Sequence, residues 1–246
     1  MHPSSLTGFV HSTEAGSAVD GPGLRYLIFL AGCAFRCVYC HNPDTWQTFP
    51  SQLQSVDRVI AQIEPYASWL KKTGGVTITG GEPMFQPDFT QALLHELKRL
   101  GLHTALDTQG YFASKLSDAW FDCVDLVLLD IKHIDEDAHR ILTGGFSLEP
   151  VLATARRLGA MGKELWIRHV IVPGFTDRVD VAERLAQFVG SLPTVTRVEL
   201  LPYHRLGREK WRALGLPYAL EDVLPPDLAL VERLRLPFRE RGIETC

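Results

Sequence analysis

The sequence predicts an α/β fold: a parallel, curved sheet forming a partial (β/α)6 TIM-like barrel, open on one side. Three observations carry that prediction. Short apolar runs alternate with helix-period segments about six times along the 246 residues, the pattern of parallel strands joined by right-handed crossovers. The run from Asp125 to Lys132 is almost wholly apolar in its middle, as strands covered on both faces are. The polar residues of interest follow the ends of strands, where (β/α) barrels carry their chemistry. Six units leave an opening that could admit a polypeptide loop as well as a small molecule.

Composition fits one ordinary globular domain over 1–246, with 46% hydrophobic and 22% charged residues. Its expected parts are an N-terminal segment at 1–24, a barrel core over about 25–204 and a C-terminal loop and helix at 205–246. A formal charge of −4 argues against a nucleic-acid partner. Five cysteines, three clustered and two isolated at Cys123 and Cys246, do not form a disulfide framework and point to a reducing compartment. Met1 to Ala18 has no basic run followed by an apolar one, and no stretch approaches the roughly 20 apolar residues of a membrane span. A soluble, cytoplasmic, monomeric protein with no membrane partner is expected.

In chain order, residues 1–24 are polar and end in the turn Asp20-Gly21-Pro22-Gly23, where glycine supplies unusual φ and proline fixes its own. Arg25 to Leu30 reads as a buried strand. It runs into Cys33-Ala-Phe-Arg-Cys37-Val-Tyr39-Cys40-His41-Asn42, and residues 44–54 read as irregular. Val56, Val59, Ile60, Ile63, Ala67 and Leu70 recur at helical spacing, with Pro65 as a kink. Val76 to Thr79 alternates as a strand and ends at Gly80-Gly81-Glu82-Pro83, two glycines that let a ligand approach the backbone. A helix follows from about Pro87 to Leu100. The strand from His103 ends at Asp107-Thr108-Gln-Gly110, and the next delivers Asp130 and Lys132. Short helices are expected over 135–142 and from Leu148 to Met161. The strand Glu164–Val172 places Arg168 and His169 on opposite faces, so only one can look into a barrel. A helix over Asp180–Val189 and a sixth strand over Val195–Leu201 lead to Pro202-Tyr203-His204. The basic stretch Arg205–Arg212 and the tail from Pro225 read as exposed loop and a C-terminal helix that Pro237 disrupts, and this tail is uninformative about chemistry.

Three thiols within eight residues are a ligand set for a soft metal or an iron–sulfur cluster. A four-iron cube bound by Cys33, Cys37 and Cys40 keeps one iron open for a small molecule. Zinc is the competing ion, with His41 as its fourth ligand, although adjacent Cys40 and His41 would have to curl onto one centre. Buried structural cysteine is the third reading. No paired carboxylates or Ser/His/Asp set suggests acid–base or nucleophilic catalysis.

The spacing CxxxCxxC with Tyr39 before the last cysteine resembles the signature of the radical S-adenosylmethionine (radical SAM) enzymes. DGPG at Asp20–Gly23, CHNP from Cys40, GGEP from Gly80, DTQG from Asp107, LDIK ending at Lys132 and LPYH ending at His204 are similar to the branch that activates glycyl-radical enzymes. One departure is Asp-Thr-Gln-Gly, where that branch would carry Asn before the glycine. The resemblance implies one 4Fe–4S cluster, since the extra cysteines of some activases are missing between His41 and Gly80. It implies S-adenosylmethionine held by Tyr39, Gly80, Gly81, Glu82, Lys132, Arg168 and His204, and a monovalent cation at Asp107, Thr108 and Asp130. It implies a partner loop bound by Asp20, Gly21, Pro22, Gly23, His41 and Asn42. The expected partners are a glycyl-radical enzyme, pyruvate formate-lyase first among them, and reduced flavodoxin or ferredoxin. A small-molecule substrate and a zinc-binding structural module are the rival readings.

Overall fold

The computed structural model describes residues 6–246, so residues 1–5 of the N-terminal segment lie outside the described residues. The chain forms two compact units. The first comprises the chain up to Ala34, Thr45–Thr108 and Phe112–Leu128; the second comprises Phe35–Asp44, Gln109–Tyr111 and Leu129–Cys246.

The first unit begins with β1 (Thr7–Ser17), β2 (Leu24–Leu30) and β3 (Leu53–Ser55). It continues through α1 (Val56–Ile63), α2 (Ala67–Thr73), β4 (Gly74–Gly80), α3 (Pro87–Arg99) and β5 (Thr104–Thr108). Its strands are ordered β3-β1-β2-β4-β5. Parallel pairing puts Ile28 beside Ile78 and Ile78 beside Leu106. Ile28, Leu30, Ile78, Leu93, Leu94 and Leu97 are fully buried, each contributing about 1.5–3 kcal/mol by leaving water. The Ser55 hydroxyl accepts from the Arg58 amide at 3.2 Å and caps α1. Pro65 sits in a single 3-10 turn, Glu64–Tyr66, which separates α1 from α2.

Two expectations fail here. Residues 1–24 are more than a polar lead-in, because β1 runs antiparallel to β2 with Val10 opposite Leu30 and Ala15 opposite Tyr26. The stretch 44–54 contains β3, which pairs antiparallel with the start of β1. Beyond Val10, β1 buries only Ser17, so the strand has too few apolar positions for alternation to reveal it.

β6 (Leu126–Asp130) starts in the first unit and ends in the second. The second unit then holds α4 (Glu136–Thr143), α5 (Glu149–Ala160), β7 (Glu164–Ile171), α6 (Val179–Gly190) and β8 (Val195–Pro202). It closes with α7 (Arg208–Ala213), α8 (Leu228–Arg239) and the short β9 (Glu244–Thr245). β7, β8 and β9 are parallel neighbours, with Ile167 beside Val198 and Val198 beside Thr245. α8 lies against α6 and β8. Contrary to expectation, Pro237 does not disrupt α8. It stands in the last turn, where its missing N–H and its ring remove one helix hydrogen bond, and the buried Leu234 and Phe238 anchor that turn.

Candidate active site

The candidate residues divide between the units. In the first, β2 leads through Ala31 to Gly32, whose amide donates to the Thr45 carbonyl at 2.7 Å. The Cys33 amide donates to the Trp46 carbonyl at 3.2 Å. Thus the chain after Asp44 returns to brace the start of the cysteine loop. Gly81 donates to the Leu30 carbonyl at 2.8 Å, and Glu82 to the Gly32 carbonyl at 2.9 Å. A Cβ on Gly81 would stand 2.4 Å from the Gly32 oxygen. The space left by that glycine is therefore filled by the cysteine loop's own backbone, a use the sequence did not suggest.

Glu82 is buried, and one of its carboxylate oxygens accepts from the Met84 amide at 2.9 Å and the Thr108 hydroxyl at 2.6 Å. Asp107 accepts from the Thr79 hydroxyl at 2.6 Å. Strand ends β4 and β5 are thereby cross-linked by Glu82, Asp107 and Thr108, which the sequence singled out, and by Thr79, which it marked only as a strand end. Asp20, Gly21, Pro22 and Gly23 form the β1–β2 connection, with φ of +115° at Gly21 and +73° at Gly23. The fully buried Arg25 holds this turn, donating to the Pro22 carbonyl at 3.3 Å, the Thr77 hydroxyl at 2.6 Å and the Val76 carbonyl at 2.6 Å. Thr77 donates in turn to the Asp20 carbonyl at 2.7 Å. Burial lowers the Arg25 pKa to about 10, even with Asp125 and Asp20 acting in the opposite sense.

In the second unit, the loop's middle is tied to the end of α4. Arg36 and Val38 amides donate to the Thr143 and Leu142 carbonyls at 2.9 and 3.0 Å, satisfying groups that a helix C-terminus leaves open. Phe35 stacks on Phe146 with centroids 4.3 Å apart. The Cys40 amide closes a turn onto the Cys37 carbonyl at 3.0 Å. Tyr39 is buried with Leu142, Val172, Tyr203 and Leu220, and its hydroxyl has no hydrogen-bond partner among the described residues. Burial raises its phenol pKa. Lys132 lies 5.7 Å from the Tyr39 ring centre and donates to Asp130 at 2.6 Å. Burial is the largest single influence on the Lys132 ammonium and works against it, but Asp130, Tyr39 and Cys37 together outweigh it, so the pKa stands well above the usual lysine value.

Arg168, on β7, donates from Nε to Glu199 of β8 at 2.7 Å, and both side chains are buried. His169 is buried too and faces the Ile131 carbonyl at 2.6 Å from Nδ1, a structural histidine as its exclusion from the candidate set implies. His204 meets His41 edge-on at 4.8 Å. Burial, then His204 and Lys210, lowers the His41 pKa. Asn42 accepts from Lys210 at 2.7 Å. The second unit thus gathers His41, Asn42 and His204, and separately Tyr39, Asp130 and Lys132. Sequence reasoning missed Arg25, Thr77, Glu199, Lys210 and Trp211. Of these only the basic-aromatic pair after LPYH left a visible signal.

The donor set fits an iron–sulfur cluster. Cys33, Cys37 and Cys40 are not joined in disulfides, and thiolates select soft metals and such clusters. Among the described residues, no three or more His, Cys, Asp and Glu side chains form a single-ion site. The fourth zinc ligand considered, His41, has its ring against His204.

Comparison with known proteins agrees. A profile of the radical SAM superfamily matches residues 27–185. The chain is 47% identical over 230 residues to the pyruvate formate-lyase-activating enzyme of Staphylococcus aureus strain USA300, covering 90% of this chain and 91% of that one. In fold it is similar to a domain of the Bacteroides vulgatus pyruvate-formate lyase-activating enzyme, with TM-score 0.57, 24% identity, and coverage of 70% of this chain and 98% of that one. A radical SAM methyltransferase from Sphaerobacter thermophilus superposes with TM-score 0.68 at 20% identity, over 95% of this chain and 68% of that one. These likenesses bear out the expected α/β fold with a mostly parallel curved sheet.

Proposed function

This chain belongs to the radical SAM superfamily, and we propose that it is the activating enzyme of pyruvate formate-lyase (formate acetyltransferase). It cleaves S-adenosylmethionine reductively at a 4Fe–4S cluster and takes a hydrogen atom from a glycine of the lyase, leaving the radical there. The observation that carries this reading is 47% identity to the Staphylococcus aureus activase over nine-tenths of the chain; the CxxxCxxC loop supplies the matching ligands.

Cys33, Cys37 and Cys40 would hold the cluster. When bound, the cluster and S-adenosylmethionine supply the one-electron cleavage and the hydrogen abstraction; the chain supplies placement. Lys132, its charge maintained by Asp130 at 2.6 Å, suits the carboxylate end of the amino acid. The Gly80-Gly81-Glu82 turn holds the start of the cysteine loop against the end of β4 through the Gly81 and Glu82 amides, and is assigned to the methionyl amino end. Arg168, fixed by Glu199, and His204, set against His41, are assigned to the same cofactor. The apolar setting of Tyr39 excludes water from its side of the loop and suits the adenine. Asp107, Thr108 and Asp130 are the oxygen donors for a monovalent cation. Asp20–Gly23, His41 and Asn42 are assigned to the lyase loop. The electron comes from reduced flavodoxin or ferredoxin, and the protein acts as a cytoplasmic monomer.

The test is anaerobic reconstitution and EPR of the reduced protein, with S-adenosylmethionine and then with the lyase. A cubane-type signal that shifts on adding S-adenosylmethionine, followed by a glycine-centred doublet on the lyase, is expected. A shifting signal without the doublet would move the activity to another glycyl-radical enzyme or a small molecule. Zinc in place of iron, with no cluster formed, would overturn the reading.

A further inference from the structure

The chain after His204 has no part in the function just described, yet three of its residues touch the last turn of the cysteine loop. Trp211 Nε1 donates to the Cys40 carbonyl at 2.9 Å. Gly207 lies so close that a Cβ there would stand 3.1 Å from the Cys40 oxygen and from the His41 Cα. Lys210 donates to Asn42 at 2.7 Å and pairs with Asp44 at 3.1 Å. α7, which carries Lys210 and Trp211, is itself secured. Arg208 and Arg212 pair with Glu221, and the Trp211 ring packs 5.1 Å from Tyr218. Tyr218 shares a hydroxyl contact of 2.8 Å with Tyr203, which is buried in the same cluster as Tyr39. Cys40 is thus gripped from the residue before it, at its own carbonyl, and from the turn after it.

We propose that the segment 207–211 is a clamp that holds the Cys40 turn in ligating shape before metal arrives. Trp211 is a positioning residue acting through the Cys40 carbonyl, Gly207 permits the close approach, and Lys210 fixes the far end of the turn. A ligand loop ordered in advance loses less conformational freedom on binding, so its complex is retained longer. The inference rests on the reading of Cys40 as a cluster ligand.

The test compares anaerobically reconstituted wild type, Trp211→Phe, Gly207→Ala and Lys210→Met, with Trp69→Phe as control. Cluster loss to a ferrous-iron chelator is followed by visible absorbance, beside iron content and thermal melting. Trp211→Phe keeps an aromatic side chain but removes the N–H together with the five-membered ring, and thermal melting reports the packing lost with it. The variant should start with the wild-type iron content and lose it about fivefold faster, the factor of one ordinary hydrogen bond. Gly207→Ala and Lys210→Met should move the same way, and Trp69→Phe should match wild type. Wild-type loss rates in the three clamp variants would overturn the clamp while leaving the activase reading intact, as would equal acceleration in Trp69→Phe. If Trp211→Phe fails to fold, the other two variants decide. A wild-type protein that forms no cluster would overturn the activase reading, and the clamp with it.

Discussion

Arg168 and Glu199 are both buried and 2.7 Å apart, and removing one charge takes an ion-pair partner from the other. Breaking such a pair costs about 3–5 kcal/mol, whereas replacing both partners by apolar groups of similar volume is often neutral. Glu199→Gln should therefore lower the melting temperature sharply, and the double variant Arg168→Met with Glu199→Leu should regain most of the loss. S-adenosylmethionine binding should not return in the double variant; recovered binding would remove Arg168 from the cofactor site. Lys132 separates charge from stability differently. Lys132→Met should weaken S-adenosylmethionine binding by roughly 10–100-fold, the worth of one charge-assisted hydrogen bond. Equilibrium dialysis of the cluster-loaded variant measures this, and unchanged affinity would place the carboxylate elsewhere. The motifs marked Arg168 and Lys132, but Glu199 was hidden. Its role depends on β8 lying beside β7, and no local spacing states which strands are neighbours.

Between strands, the connection from β1 to β2 is shaped by β4. The Thr77 hydroxyl accepts from Arg25 and donates to the Asp20 carbonyl, so one side chain links a buried guanidinium to the half-buried turn. Thr77→Val keeps the shape of β4 and leaves Arg25 Nε without that acceptor, a penalty of about 1–3 kcal/mol. Amide exchange across residues 17–24 should quicken about tenfold by mass spectrometry, with Thr77→Ser restoring protection. If these residues hold the lyase loop, KM for the lyase should rise while kcat stays. Unaltered exchange would mean the turn is held without Thr77. Elements with strong periodicity or a clear breaker were legible in the sequence: α3, the α1–α2 interruption at Pro65, and the apolar β6. β1 was not, because its outer positions are polar and its pairing with β2 supplies what its composition lacks. α7 was seen only as a basic stretch, since a short helix's role lies in what it touches: Trp211 against the Cys40 carbonyl.

Stability of the whole protein should depend on pH through histidines that take no part in the chemistry. His169 is buried and its pKa is lowered to about 4, chiefly by desolvation; His139, also buried, is lowered to about 4 for the same first reason. The Ile131 carbonyl, 2.6 Å from His169 Nδ1, can only accept, so the neutral ring carries its proton there. Nε2 has no partner among the described residues, and protonating it would bury a charge facing no acceptor. The unfolded chain takes up protons below its ordinary histidine pKa of about 6.5, but the native protein does not until about pH 4. Stability is therefore fully present above that unfolded value and is lost as pH falls through the window between the two. Each histidine should cost about 2 kcal/mol between pH 7.5 and pH 5. Urea unfolding midpoints across this range measure the slope. His169→Gln, whose amide can still donate to Ile131, should start less stable at pH 7.5 yet lose about 2 kcal/mol less than wild type on acidification. Parallel slopes for the two proteins would show that His169 is protonated in the native state, contradicting the burial that shapes it.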